Sequence, residues 1–252
     1  MSTPSAGTTA KYEIGVQSFT YREFGVEEMC DELADTGVSA IELCEVHVTT
    51  DDDSKAVDAV RTRLADAGVD VCGYGVISFE DEQVESIRQT FELVDRLGGD
   101  YCSLEFPPDE TGIRDRLLST AADFDLDLAI HNHGPDATYS TVEDVTSVLD
   151  RVSDERLGAC VDTGHFFRSE QASEEVIPKL GDRVHALHLK DFVDEEQEAV
   201  PGTGQLDILE LLELLDEKTS FDQPLVVEYE ADATDPTPAV VQTIAEVEEA
   251  MR

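Results

Sequence analysis

Basic charge is scarce in this sequence. The chain has 17 Lys and Arg residues against 58 Asp and Glu residues, which gives a formal net charge of −41. The acids are spread along the whole chain, a pattern typical of proteins kept soluble at high salt, where a short Debye length screens the self-repulsion. Nucleic-acid binding needs a basic track that displaces counterions from phosphates. The composition therefore predicts a halophilic protein with no nucleic-acid partner.

Long apolar segments and paired cysteines are also missing. The sequence has no run of about 18 apolar residues, so we expect no membrane span and no membrane partner. Residues Met1–Ala10 lack the charged and apolar regions of a signal peptide. They predict a disordered tail on a cytoplasmic protein. The five cysteines show no C-x-x-C spacing and indicate small buried hydrophobes, with disulfides or metal ligation as the alternative.

The rest of the chain alternates between apolar strand-like runs and amphipathic helix-like stretches. The eight strand-like runs are Tyr12–Phe19, Val38–Leu43, Val69–Ile77, Tyr101–Phe106, Leu126–Ile130, Leu157–Val161, Val184–Leu189 and Leu225–Tyr229. Such repeats predict an α/β protein with a (β/α)₈ TIM barrel, one domain covering residues 11–252. A helix from about Pro238 to Met251 would close the barrel, and the acidic connection Val193–Gln205 is a candidate active-site lid.

Polar clusters follow four successive apolar runs, at residues 130–133, 162–165, 185–191 and 228–230. They contain five of the six histidines in the chain. The carboxyl ends of barrel strands form the active-site face. Asp162, His188 and Glu228 would therefore present oxygen and nitrogen ligands from three neighbouring strands. This ligand set suits Mn²⁺, Mg²⁺, Co²⁺ or Zn²⁺.

Each of these three residues also has a structural explanation. Asp162 before Thr-Gly could be a turn or cap residue, His188 could be hydrogen-bonded in the core, and Glu228 could face solvent by strand alternation. All of these explanations would have to hold together, at consecutive strand ends, in a chain with six histidines. The joint pattern favours a metal centre.

The ordered motifs HNHG, DTGH, HxxHLKD, VPGTG and EYE resemble the sugar phosphate isomerase/epimerase group of the xylose isomerase-like TIM barrels, also called AP endonuclease family 2. The resemblance covers nearly the whole chain after residue 11 and is most specific over residues 130–230. It implies a single divalent ion, commonly Mn²⁺. Matched position by position, Asp162, His188 and Glu228 fall on the family's metal ligands. His165 falls on a histidine that contacts substrate hydroxyls in several members.

One position departs from the family pattern. Ketose 3-epimerases of this superfamily have a glutamate at the end of strand five that is both ligand and acid/base, whereas this sequence has His131. A neutral imidazole can still bind a metal, so His131 stays in the predicted ligand set. Glu105, at the end of strand four, is the candidate to replace the missing carboxylate, and a strand-end ion pair is the alternative.

Further residues complete the predicted site. Lys190 is one of only five lysines, which indicates a role in polarising a carbonyl or binding a phosphate or carboxylate. An ion pair with Asp191 or Asp162 is the alternative. We assign substrate binding to three residues near strand ends: His133, His47 and Glu230. For His47, which follows the second strand, a structural role is equally compatible with the sequence.

These residues support a divalent-metal-dependent isomerase or epimerase that acts on a sugar, keto-sugar or polyol derivative. Glu228 or Glu105 would abstract a proton next to a metal-bound oxygen, while His165, His133 and Lys190 would position or polarise the substrate. A metal-dependent dehydratase or lyase on a keto-polyol, which resembles the inosose dehydratases, is the alternative at the same site.

Two other functions are less well supported. An endonuclease-IV-like repair enzyme needs a larger metal cluster, but residues 75–79 after strand three contain no histidine. A barrel that only binds a metabolite would not need to retain the metal-ligand residues. The predicted partner is a small sugar or polyol, and a homo-oligomer is compatible with the sequence.

Overall fold

Eight parallel strands close into a barrel in the computed structural model, which describes residues 11–80 and 84–252. The strands adjoin in the order β1-β10-β7-β6-β5-β4-β3-β2. Their bounds are β1 Ile14–Gln17, β2 Ala40–Leu43, β3 Asp70–Ser78, β4 Tyr101–Glu105, β5 Asp127–His131, β6 Leu157–Asp162, β7 Val184–Leu189 and β10 Leu225–Val227. The predicted (β/α)₈ fold is confirmed, and each predicted strand overlaps an observed one. The predicted tail at residues 1–10 lies outside the described residues.

Helices connect the strands and surround the barrel. They are α1 Val26–Leu33, α2 Ser54–Asp66, α3 Val84–Leu97, α4 Thr111–Phe124, α5 Val142–Leu149, α6 Thr163–Arg168, α7 Ser173–Leu180, α8 Ile208–Lys218 and α9 Thr237–Ala250. A small hairpin, β8 Asp191–Phe192 with β9 Glu198–Ala199, lies between β7 and α8. In the part of the chain that the structure describes, no helix is both long and apolar enough to cross a bilayer.

Local signals fix the ends of several helices. Gly68 and Gly98 follow the C-terminal ends of α2 and α3 and have φ values of +77° and +89°, a region that glycine adopts without strain. Thr141 caps α5, because its side chain accepts the N–H of Asp144 and the Asp144 carboxylate accepts the N–H of Thr141. The chain thus leaves each helix at a defined point and returns to the barrel.

Side chains along the strands alternate between the barrel interior and the surrounding helices. The inward positions of one layer carry mostly small residues: Ala40, Ala129, Cys160, Ala186 and Val226. Two positions later on the same strands, nearer the carboxyl ends, stand buried polar residues: Glu42, His131, Asp162, His188 and Glu228. The residues between these layers pack outward in the apolar core. The barrel interior therefore changes from apolar to ionisable toward its mouth.

One histidine of the four polar clusters lies at the other end of the barrel. His185, the second residue of β7, is half-buried, with its ring 3.3 Å from the carbonyl oxygen of Leu128. Burial lowers the pKa of His185, against an opposing effect of Asp127. The sequence places this residue in a cluster expected at the active-site face. In the structure it lies near the start of β7, at the amino-terminal end of the barrel, and the alternation of side chains along the strand turns it outward.

We expect His185 to make the protein less stable in mild acid. Below about pH 6.5 the unfolded chain binds a proton that the folded chain resists, so stability falls as the pH drops through this range, by at most about 1.4 kcal/mol per pH unit. Urea unfolding midpoints measured on both sides of this range should show a smaller loss in His185→Gln than in the unmutated protein. An unchanged pH slope would contradict this assignment.

Candidate metal centre

Three neighbouring strands and the turn after a fourth bring together the four predicted metal ligands. His131 ends β5, Asp162 ends β6, His188 is the penultimate residue of β7, and Glu228 directly follows β10. Parallel register pairs Asp162 with His188, whereas His131 pairs with Cys160 and Val226 pairs with His188, each two residues before a neighbouring ligand. Because the strands of a barrel are tilted and staggered, these offsets bring the ligands to one mouth. All four side chains are buried. The sheet geometry alone therefore converges these four side chains on the barrel axis.

The four side chains approach one another closely. His188 Nδ1 lies 2.9 Å from Glu228 Oε2 and 3.2 Å from His131 Nε2. His131 Nε2 lies 3.9 Å from Asp162 Oδ2, and one atom from each residue lies within 4.8 Å of the others. Ligands about 2.0–2.2 Å from one ion are at most about 4.4 Å apart. The spacing is therefore close to that of a metal-binding set.

The hydrogen bonding of Asp162 also fits a cation. Its Oδ1 accepts the backbone N–H of His165 at 2.7 Å, which caps α6. Its Oδ2 is buried and accepts no hydrogen bond from the described residues. A buried carboxylate oxygen without a donor is costly unless a cation neutralises it. The residues present therefore fit a divalent ion bound between them.

Glu42 orients one of the predicted ligands. Its carboxylate lies inside the barrel and accepts the Nε2–H of His188 at 2.8 Å and the hydroxyl of Tyr101 at 2.6 Å. The amide of Gln17 and the hydroxyl of Ser103 donate to it as well. A carboxylate on the outer nitrogen fixes the ring orientation and leaves Nδ1 of His188 free for a metal. Sequence reasoning missed this residue, although it stands two positions after Ala40.

We expect Glu42→Gln to weaken metal binding without abolishing it. Outer carboxylate partners of ligating histidines typically account for about 10- to 100-fold in metal affinity. Titration of the metal-free protein against a chelating dye would measure this loss. Tyr101→Phe, which removes one hydrogen bond to the same carboxylate but keeps the carboxylate, serves as the matched control and should retain most of the affinity. Unchanged affinity in Glu42→Gln would rule out the orienting role.

Lys190 pairs with three glutamates rather than with the aspartates considered from the sequence. Its buried ammonium contacts Glu230, lies 3.5 Å from Glu228 Oε1 and lies 3.8 Å from Glu198 Oε1. Burial lowers its pKa, but the charges of Glu228, of the more distant Asp162 and of the other two glutamates outweigh burial and raise it. The aspartates considered as ion-pair partners, Asp191 among them, are not its contacts. Lys190 is therefore a fixed positive charge that holds the Glu228 and Glu230 side chains.

The charges around His188 and Glu228 shift the pKa values of these two groups in opposite directions. Burial raises the pKa of Glu228, but Lys190 and His188 outweigh it and hold this pKa well below its usual range. Burial lowers the pKa of His188, but the carboxylates of Glu42 and Glu228 beside its two ring nitrogens contribute to a net rise. Burial raises the pKa of the Cys160 thiol to about 12, so this cysteine is protonated at neutral pH. The carboxylate and imidazole groups are the better ligands.

Glu105 and His133 form a second pair beside the ligands. Glu105 ends β4, and its Oε1 lies 2.5 Å from Nδ1 of His133. The His133 ring centroid is 4.6 Å from that of His131 and 5.3 Å from that of His165. Burial lowers the pKa of His133, but Glu105 outweighs this effect and the net pKa is raised. The predicted strand-four carboxylate therefore acts on a histidine rather than standing alone.

The remaining predicted site residues separate into two groups. His165 joins the mouth, with its buried Nδ1 making no hydrogen bond in the described chain. Glu230 is half-exposed and pairs with Lys190. His47 does not join the cluster; it is half-buried after β2, beside the backbone of Tyr21 and Phe24, and burial lowers its pKa. Its position supports the structural alternative.

A hairpin covers one side of the mouth. The buried Asp191 carboxylate anchors it by accepting backbone N–H groups of Phe192, Gly202, Gly204, Gln205 and Leu206. Glu198 of β9 accepts the N–H of Glu230 at 2.9 Å. The predicted lid at Val193–Gln205 is thus tied to the barrel through Asp191, and Glu198 contributes a carboxylate beside Lys190.

Comparison with known proteins matches the fold and the motifs. A family model described as xylose isomerase-like TIM barrel matches residues 30–250. The chain belongs to this family. An inosose dehydratase of Clostridium perfringens is 26% identical over 135 residues, which are 46% of this chain and 45% of that protein. The chain therefore aligns with less than half the length of the curated relatives it matches.

Solved structures of this family superpose on nearly the whole chain. The IOLI protein, solved with a bound zinc atom, has a TM-score of 0.78 at 15% identity, covering 95% of this chain and 98% of that one. An L-ribulose 3-epimerase has a TM-score of 0.75 at 17% identity, covering 95% of each chain. At these identities the likeness establishes the fold. The resemblance drawn from the sequence motifs is confirmed at the level of the family.

Proposed function

We propose that this protein is a divalent-metal-dependent isomerase or epimerase acting on a sugar, keto-sugar or polyol derivative. The observation that carries the proposal is the convergence of four buried ligand atoms, from His131, Asp162, His188 and Glu228, within 4.8 Å. Mn²⁺ is the first choice, and Mg²⁺, Co²⁺ and Zn²⁺ suit the same donors. A bound ion would polarise a substrate carbonyl or hydroxyl oxygen and acidify the neighbouring C–H.

The residues around this set have distinct proposed roles. His133 exchanges a proton with the substrate carbon, since Glu105 holds its Nδ1 and its other ring nitrogen makes no hydrogen bond with the described protein. Glu228, whose pKa is held low, stays ionised as a ligand rather than acting as the base. Lys190 fixes Glu228, and His165 hydrogen-bonds a substrate hydroxyl through Nδ1. The anchored hairpin limits the access of water.

A dehydratase or lyase acting on a keto-polyol is the second candidate. The identity of 26% with an inosose dehydratase favours it. Proton abstraction next to a metal-bound carbonyl begins both reactions, and a protonated His133 could equally assist the departure of a hydroxyl group. The two candidates therefore differ in product and share the site.

The deciding experiment follows metal, proton exchange and product together. Protein dialysed against EDTA would be reloaded with each of the four cations and incubated with keto-sugars, inososes and their phosphates in D₂O containing molar KCl. We expect about one ion per chain, metal-dependent deuterium incorporation and an isomer of the same composition. Loss of water from the substrate would decide for the dehydratase, and full activity in metal-free protein would exclude both candidates.

A further inference from the structure

An arginine at the mouth of the barrel is held without a carboxylate partner. Arg168 is the last residue of α6 and is half-buried. Its Nε donates to the backbone carbonyl oxygen of Glu195 at 3.0 Å, and its guanidinium lies 5.2 Å from the centroid of the Phe192 ring. A backbone carbonyl and an aromatic face orient the group but leave its formal charge uncompensated. Its two terminal nitrogens donate to no protein acceptor among the described residues.

The place of Arg168, rather than its lack of an ion pair, sets it apart. Some arginines pair with acids, such as Arg63 with Asp31 and Arg88 with Asp123, whereas others, such as Arg61, donate to backbone carbonyl oxygens. Arg168 makes no ion pair within residues 11–80 and 84–252. Its guanidinium is therefore available to an external anion.

The guanidinium lies beside a glycine at the edge of the predicted ligand cluster. A Cβ on Gly134, the residue after His133, would lie 3.0 Å from Nη1 of Arg168 and 3.6 Å from Nδ1 of His165, so the guanidinium packs closely on this glycine and next to His165. The ring centroids of His165 and His131 are 6.2 Å apart, which places Arg168 near the predicted ligands. Because residues 165 and 168 are one helical turn apart, both side chains face the same side of α6.

We propose that Arg168 binds an oxyanion of the substrate, a carboxylate or phosphate group at the end remote from the reacting carbon. The substrate would then be an acidic sugar or a sugar phosphate rather than a neutral ketose. Guanidinium donors match the paired oxygens of either group. A protein of this net charge repels anions, so it needs a local cation to retain one. The inference rests on the proposed function, which places the reacting end at the metal centre.

Matched probes can test the charge preference without turnover. Metal-loaded protein would be titrated calorimetrically, at constant ionic strength, with D-fructose 6-phosphate against D-fructose and with D-gluconate against D-glucitol. We expect at least one anionic probe to bind roughly 10- to 100-fold more tightly than its neutral match. The phosphate and carboxylate pairs then identify which oxyanion is preferred. If neither anion binds more tightly than its match, the proposal is wrong.

Variants assign the preference to one side chain. Arg168→Gln should remove the preference for the anionic probe. Arg168→Lys should keep part of this preference, since lysine retains the charge but not the paired N–H donors of the guanidinium. Arg61→Gln is the matched control, because Arg61 donates to the Arg96 carbonyl oxygen and makes no carboxylate pair in the described chain. Retained preference in Arg168→Gln, or its loss in Arg61→Gln, would overturn the assignment. Metal content, measured separately, reports on the proposed function alone.

Discussion

Asp162→Asn should yield a folded protein that no longer retains a divalent ion and no longer turns over substrate. The asparagine oxygen can still accept the N–H of His165 and cap α6, but its amide nitrogen would replace the unpaired Oδ2. Losing a ligand should weaken binding by more than the roughly 100-fold that outer partners contribute. Metal content after dialysis and the turnover rate would measure the effect.

The same substitution should not destabilise the metal-free protein. Burial raises the pKa of Asp162, so its charge is unfavourable when no cation is bound, and the neutral amide removes that cost. Asp207→Asn is the matched control, because Asp207 caps α8 with the same geometry away from the mouth. A variant at residue 162 that binds metal as tightly as the unmutated protein would exclude this residue as a ligand.

Glu105→Gln should lower kcat by about 10²–10⁴-fold while leaving the metal in place. The amide keeps the size of the side chain but removes the charge that raises the pKa of His133. The histidine would then lose both its orientation and the stabilisation of its protonated form. Rate measurements with saturating metal would give the loss of turnover, and ring NMR would show the pKa of His133 moving down.

The control for this experiment is another glutamate near the mouth. Glu45, after β2, is exposed and makes no hydrogen bond to a side chain in the described chain, so Glu45→Gln should leave kcat unchanged. Full activity in Glu105→Gln would refute the proton-transfer role. If Glu105→Gln instead loses the metal, Glu105 is a ligand. The sequence is compatible with either Glu105 or His131 in that position.

The sequence predicts the fold well because each strand and helix has a local sequence signal. Apolar runs, helical spacing and glycines after helices locate the elements to within a few residues, and parallel strands then bring their carboxyl ends together. The predicted ligands converge for this reason alone. Their mutual distances, in contrast, depend on the register between strands, and single-residue shifts such as that between Ala159 and Cys160 are not visible in the sequence.

Residues that act through partners distant in the chain escaped prediction. Glu42 looks like one more member of an apolar strand, and its role follows only when His188, Tyr101 and Ser103 surround it. In the sequence Arg168 looks like an ordinary surface arginine. Its position at the mouth follows only from its contacts with the hairpin and with Gly134 in the structure. Lys190 stands out in the sequence because lysine is rare, but its carboxylate partners come from segments that the fold brings near.

Inward-facing and outward-facing residues alternate along the strands, so metal binding depends on which residues of each strand face the barrel interior. On β6 the inward Cys160 and Asp162 are separated by the outward Val161, which packs in the apolar core. A single-residue insertion or deletion within β6 would turn the carboxylate toward the helices and the valine toward the ion. Retention of metal would thus report whether the strands have kept their native phase, and indels should be tolerated in the loops far better than inside the barrel.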